Sequence, residues 1–112
     1  MASISDCKYR INLYDNISDD IRNIVLYLNK SYDYNNSILS KINECYSIDN
    51  KNSAISDRLK DLSDEIKKTS SYLNNTIISE ISNAVKDEKK TIKDLELKAE
   101  KEAKEAQNAK VI

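Results

Sequence analysis

The chain has no glycine and no proline. Ordinary proteins carry about 7% and 5% of these two residues. Without them, tight turns, left-handed caps and backbone close enough to grip a ligand are hard to build. A sandwich, a barrel or an α/β domain needs several such turns, whereas long helices need almost none. The expected fold class is therefore all-α. Histidine is also absent, which removes the commonest acid–base catalyst and metal ligand. There is no glycine-rich loop to cradle a phosphate. No catalytic residue, cofactor or metal site is expected, and the chain reads as a non-enzyme.

Charge of one sign is missing as well. The net charge is −1 over 112 residues although 33% of them are charged. Residues 1–53 carry six basic and seven acidic side chains, and the remainder carries twelve of each. Neither half is a basic patch, so nucleic acid is not the expected partner. Long apolar runs are lacking too. The stretch Ile24-Val25-Leu26-Tyr27-Leu28 is far too short to span a bilayer, so no membrane insertion is expected. No charged segment followed by an apolar one opens the chain, so no ordinary signal peptide is expected. The expected location is the cytoplasm, or export with a partner by a route that reads no signal peptide.

Two cysteines, Cys7 and Cys45, are present. On one helix they would stand roughly 57 Å apart, beyond the reach of a disulfide. They read as idle thiols or, alternatively, as one side of an intermolecular bridge.

What is present has helical periodicity. Ser3, Ser5 and Asp6 resemble a helix start. Apolar residues follow at Tyr14, Ile17, Ile21, Ile24, Leu28, Ile38 and Ile42, with a polar gap at Ser31 and Asn35. These steps of three and four trace one helix face, and the spacing predicts a first helix over about 6–46. Within it, 31–37 are poor helix formers, suggesting a kink or a polar notch that fixes register. Residues 47–53, rich in Asp, Asn and Ser, predict a turn. A second helix is expected over about 54–108. Its seam reads Ile55, Leu59, Leu62, Ile66, Thr69, Leu73, then loosens through Ile77, Ile81, Ala84, Glu88, Ile92 and Leu95. These 4-4-3 steps make an 11-residue repeat, which gives a straighter stripe and which Glu88 interrupts. From Leu95 onward the stripe shrinks to alanine.

The expected architecture is one antiparallel two-helix hairpin domain over 1–112, with a long C-terminal helix. The apolar residues just named, from Tyr14 to Ile81, form its expected core. Two helices bury little, so the chain is expected to complete a bundle with a helical partner or with itself. Val25, Tyr32, Leu39, Tyr46, Ile78, Val85 and Leu97 widen the stripes and are the candidate partner interface. The seven tyrosines suit such an interface, or simply replace the missing Phe and Trp. Asp57, Asp61, Asp64 and Glu65 read as a solvated face near a helix start rather than as a cation site.

The second half, Ile55-Ser-Asp-Arg-Leu-Lys-Asp-Leu-Ser-Asp-Glu-Ile66 through Ser71-Tyr-Leu-Asn-Asn-Thr-Ile77 and Ile81-Ser-Asn-Ala-Val85, is similar in texture to the small helical-hairpin proteins of Gram-positive type VII secretion. These are the WXG family and the helical proteins that accompany LXG toxins. The stretch Asn50-Lys-Asn-Ser53 has no Trp-x-Gly, and no Tyr-x-x-x-Asp/Glu or Phe-x-x-x-Asp signal follows the second helix. The resemblance implies an adaptor or targeting chaperone. Such a protein would bind the helical N-terminal region of a toxin, alongside a second small helical protein that supplies the export signal. The alternative is a homo-oligomeric coiled-coil scaffold.

Overall fold

A computed structural model describes residues 3–47 and 54–110, with the side chains of Tyr46, Ser47 and Lys110 outside the description. Among the described residues the fold is all-α. Helix α1 is Ile4–Ser47 and α2 is Ala54–Ser71; a π-helical segment, Tyr72–Ile77, leads into α3, Ile78–Lys110. Most of the expected turn, residues 48–53, lies outside the described residues, and Ser47 is the last residue of α1.

The start of α1 is a reciprocal cap. Asp6 N–H donates to Ser3 Oγ at 3.0 Å, and Ser3 N–H donates to Asp6 Oδ2 at 3.1 Å. Two orphan amides of the first turn are thereby satisfied. Residues 31–37 do not break the helix. Asn35 is buried and hydrogen-bonded across to Leu59 and Ser63 of α2, so the polar stretch is a notch in an unbroken helix.

The chain groups into two compact units. The first is Met1–Ser18 with Glu80–Ile112, and the second is Asp19–Ser79. In the second unit the covered positions of α1 are Ile21, Val25, Leu28, Tyr32, Asn35, Leu39 and Ile42, flanked by Asn36. Those of α2 are Ser56, Leu59, Ser63, Ile66 and Ser70, and the series continues to Leu73 in the π-helical segment. Both sets step by three and four, the spacing that keeps one seam facing a partner helix. In the first unit the covered positions are Ile4, Cys7, Ile11, Tyr14 and Ser18 on α1, and Ile81, Val85, Glu88, Ile92 and Leu95 on α3, flanked by Arg10 and Ala84.

Continuing the α2 rhythm unbroken past Leu73 would put Glu80, Asp87 and Asp94 on the covered stripe. All three are exposed, and the covered residues fall one position later. The π segment absorbs that extra residue. Ile78 N–H bonds to the Leu73 carbonyl, five residues back rather than four, and Ile77 and Ile78 are both half-buried across the shift. A π-bulge is how a helix takes one inserted residue without ending. The 11-residue repeat expected beyond Leu73 is instead this one insertion, and steps of three and four resume beyond it. Every described residue from Glu96 to Ala109 is exposed.

Candidate interaction surface

Seam choice sets what is left for a partner. In the second unit, three serines spaced by seven sit buried on α2: Ser56, Ser63 and Ser70. Opposite them on α1 stand three asparagines spaced by seven. Ser56 Oγ donates to Asn43 Oδ1 at 2.6 Å, Ser63 Oγ to Asn36 Oδ1 at 2.9 Å, and Ser70 Oγ to Asn29 Oδ1 at 3.0 Å. Partners descend along α1 as they ascend along α2, so the two segments run antiparallel. At the middle rung, Asn35 Nδ2 donates to Ser63 Oγ at 2.6 Å and to the Leu59 carbonyl at 2.7 Å. Among the described residues no buried side-chain nitrogen or oxygen lacks a hydrogen-bond partner. Small serines let the backbones approach, and the amides fix one register, because any slip would leave buried polar groups unpaired.

The asparagine rungs occupy one flank of the seam. Asn29, Asn36 and Asn43 each follow a seam residue by one position, whereas Ile24 and Ile38 each precede one. On a helix these sets lie on opposite sides of the stripe. The second flank is apolar and open: Ile24, Ile38, Ile55 and Leu62 are all exposed, as are Tyr27, Tyr34 and Tyr72.

This corrects the sequence expectation. Ile17, Ile24, Ile38, Ile55 and Leu62, expected in the core, are exposed. Val25, Tyr32, Leu39, Ile78 and Val85, expected at the interface, are half-buried on the covered stripes. Leu97 is exposed and the Tyr46 side chain lies outside the described residues. Ile21 is buried, while Tyr14, Leu28, Ile42, Leu59, Ile66, Leu73, Ile77 and Ile81 are half-buried. Both helices are apolar over a face wider than one seam. Hydropathy ranks Leu62 above Ser63, but the Asn–Ser bonds form only if the serines face inward. The signal that would have found them is the matched spacing of three asparagines and three serines.

Among the described residues the first unit holds a polar cluster joining α1 and α3. Arg10 and Glu88 pair through a fork: Nε donates to Oε1 at 2.7 Å and Nη2 to Oε2 at 3.2 Å. Arg10 Nη2 also lies 3.5 Å from Sγ of Cys7, a thiol that is 0% exposed. The Arg10 hydrogen bond holds the Glu88 carboxyl below the usual glutamate range. Burial first, then the neighbouring Glu88, pushes the Cys7 thiol up. Glu88 is thus a seam position filled by an ion pair that reaches α1. Cys45 is exposed, and both cysteines are free.

Asp57, Asp61, Asp64 and Glu65 are exposed. Among the described residues no group of three or more His, Cys, Asp or Glu is placed to hold a metal ion. Among them, too, no helix is long and apolar enough to cross a membrane. Comparison with known proteins gives no family model that matches the chain, and no curated protein or solved structure that matches it.

Proposed function

We propose that the chain is a non-catalytic protein-binding adaptor, a two-helix hairpin that completes a helical bundle with a helical partner. The observation that carries this is the inequality of the two flanks in the second unit. One is closed by Asn–Ser hydrogen bonds, while the other leaves Ile24, Ile38, Ile55 and Leu62 exposed. Apolar residues at heptad spacing beside a formed seam suit a third and fourth helix. The texture of Ile55–Val85 suggests one partner class, the helical N-terminal region of an LXG-type toxin. On that reading the adaptor works in the cytoplasm, or leaves with its partner without a signal peptide.

The test is titration calorimetry of the full chain with that toxin region, beside Ile38→Glu and Leu62→Glu variants. A complex with the parent chain, lost in both variants while their helicity is kept, is the expected result. No complex, or binding that both variants retain, overturns the reading.

A further inference from the structure

Apart from its oppositely charged ends, the open flank of α1 in the second unit reads alike in both directions. Its centre is Ser31. Tyr27 and Tyr34 stand on either side of it, then Ile24 and Ile38, then Asp20 and Lys41 at the ends. Steps of four and three keep all of these on one helical stripe. All are exposed: Ile24 is 48% and Ile38 49% accessible, and Tyr27 and Tyr34 are 70% and 72%. We infer that this stripe recognises itself, docking α1 of a second copy antiparallel about a two-fold axis near Ser31. The inference rests on the reading that this flank docks a helix: without the toxin helix the flank is covered by a second copy, which the toxin region must displace to bind.

Three observations favour a second copy over an unrelated helix. A two-fold interface uses one patch twice, so the patch must be self-complementary. Antiparallel pairing about Ser31 lays each isoleucine–tyrosine half against its equal. It also brings the acidic end, Asp20, to the basic end, Lys41 of the other copy. A parallel arrangement would instead set Asp20 on Asp20 and Lys41 on Lys41. Second, serine is the small residue of the stripe and sits at its midpoint, where two helices cross most closely. Third, the area suffices. An aromatic side chain buries about 150–250 Å². With a side chain of roughly 200 Å² scaled by the exposed fractions of Ile24, Tyr27, Tyr34, Ile38, Ile55 and Leu62, the patch offers at most roughly 700 Å² per copy. That is near the ~800 Å² per partner of a stable interface. The result is a four-helix arrangement of two antiparallel pairs, with the Asn–Ser flanks outward.

The experiment is analytical ultracentrifugation of the full chain over a wide concentration range, with circular dichroism to confirm helicity. The parent is expected to be a dimer. Ile38→Glu is expected to raise the dimer dissociation constant by about a hundredfold, because each copy would bury an unpaired carboxylate. Each of D20K and K41D alone is expected to weaken the dimer about tenfold, since both symmetry-related ion pairs become repulsive. An equimolar mixture of the two single variants, and the double variant D20K/K41D, should each regain the parent affinity. A parent that is monomeric at every concentration overturns the inference, as does a dimer that D20K/K41D fails to restore. A monomer that still binds the toxin region through Ile38 overturns self-recognition and leaves the adaptor reading standing.

Discussion

The one-residue phase shift at Tyr72–Ile77 makes a sharply asymmetric prediction. Deleting Asn75 should convert the π segment to regular α-helix. Counting in threes and fours from Leu73 then lands on the present Ile78, Ile81, Val85, Glu88, Ile92 and Leu95 with no bulge, so the covered stripe is unchanged. Inserting one alanine after Asn74 does the reverse. With the existing bulge already taking up one residue, the stripe then falls on Glu80, Ala84, Asp87, Thr91 and Asp94. Ile81, Val85, Ile92 and Leu95, now half-buried, would turn outward. Half of the 1.5–3 kcal/mol for burying such a side chain is about 1 kcal/mol each, or roughly 4 kcal/mol in all. Three carboxylates brought onto the stripe add to this. The loss is comparable to the whole stability of a small domain, about 5 kcal/mol at the low end. Thermal unfolding followed at 222 nm reads the outcome. The deletion should melt within a few degrees of the parent, and the insertion about 20 °C lower or in two steps. If the two variants are equally destabilised, or the deletion is the worse, the phase argument is wrong.

Other predictions follow from the polar groups. Ser63→Ala takes partners from both Asn35 and Asn36 and should cost about 1–3 kcal/mol in urea unfolding; a cost no larger than an exposed Ser40→Ala control would refute the rung. Glu88 and Asp6 both titrate below their ordinary 4.5 and 3.8, Glu88 first through Arg10 and Asp6 first through the Ser3 amide. Their folded values lie below the unfolded ones, so the stability they add is full above about pH 4.5 and is lost as pH falls through the lowered values. Melting from pH 7 to pH 2 should show that acid limb, and Glu88→Gln should shrink it. The Cys7 thiol moves the opposite way from its ordinary 9.0. Its contribution is full below pH 9 and is lost as pH rises through the raised value. At pH 8 a thiol reagent should therefore modify exposed Cys45 at once and buried Cys7 only as fast as the first unit opens. Equal rates at the two cysteines would refute its burial.

Sequence by itself determined the helical class, because a chain without glycine or proline has few means of turning. The Ser3–Asp6 cap was legible from local residue types, since a cap is made within one turn. The π segment was not legible: the loosened steps beyond Leu73 read as an 11-residue repeat, whereas the fold inserts one residue into a rhythm of threes and fours. That three carboxylates would otherwise meet α1 emerged only from the covered residues of the folded chain. Tertiary structure alone decided which apolar stripe is core and which is free. Ile38 and Leu39, or Leu62 and Ser63, are adjacent on a wide face, and a single helix has no reason to prefer either. The choice is made between helices, where Asn35 and Asn36 find Ser63 and bury it with every polar atom bonded. The more hydrophobic Ile24, Ile38, Ile55 and Leu62 are thereby left on the open flank.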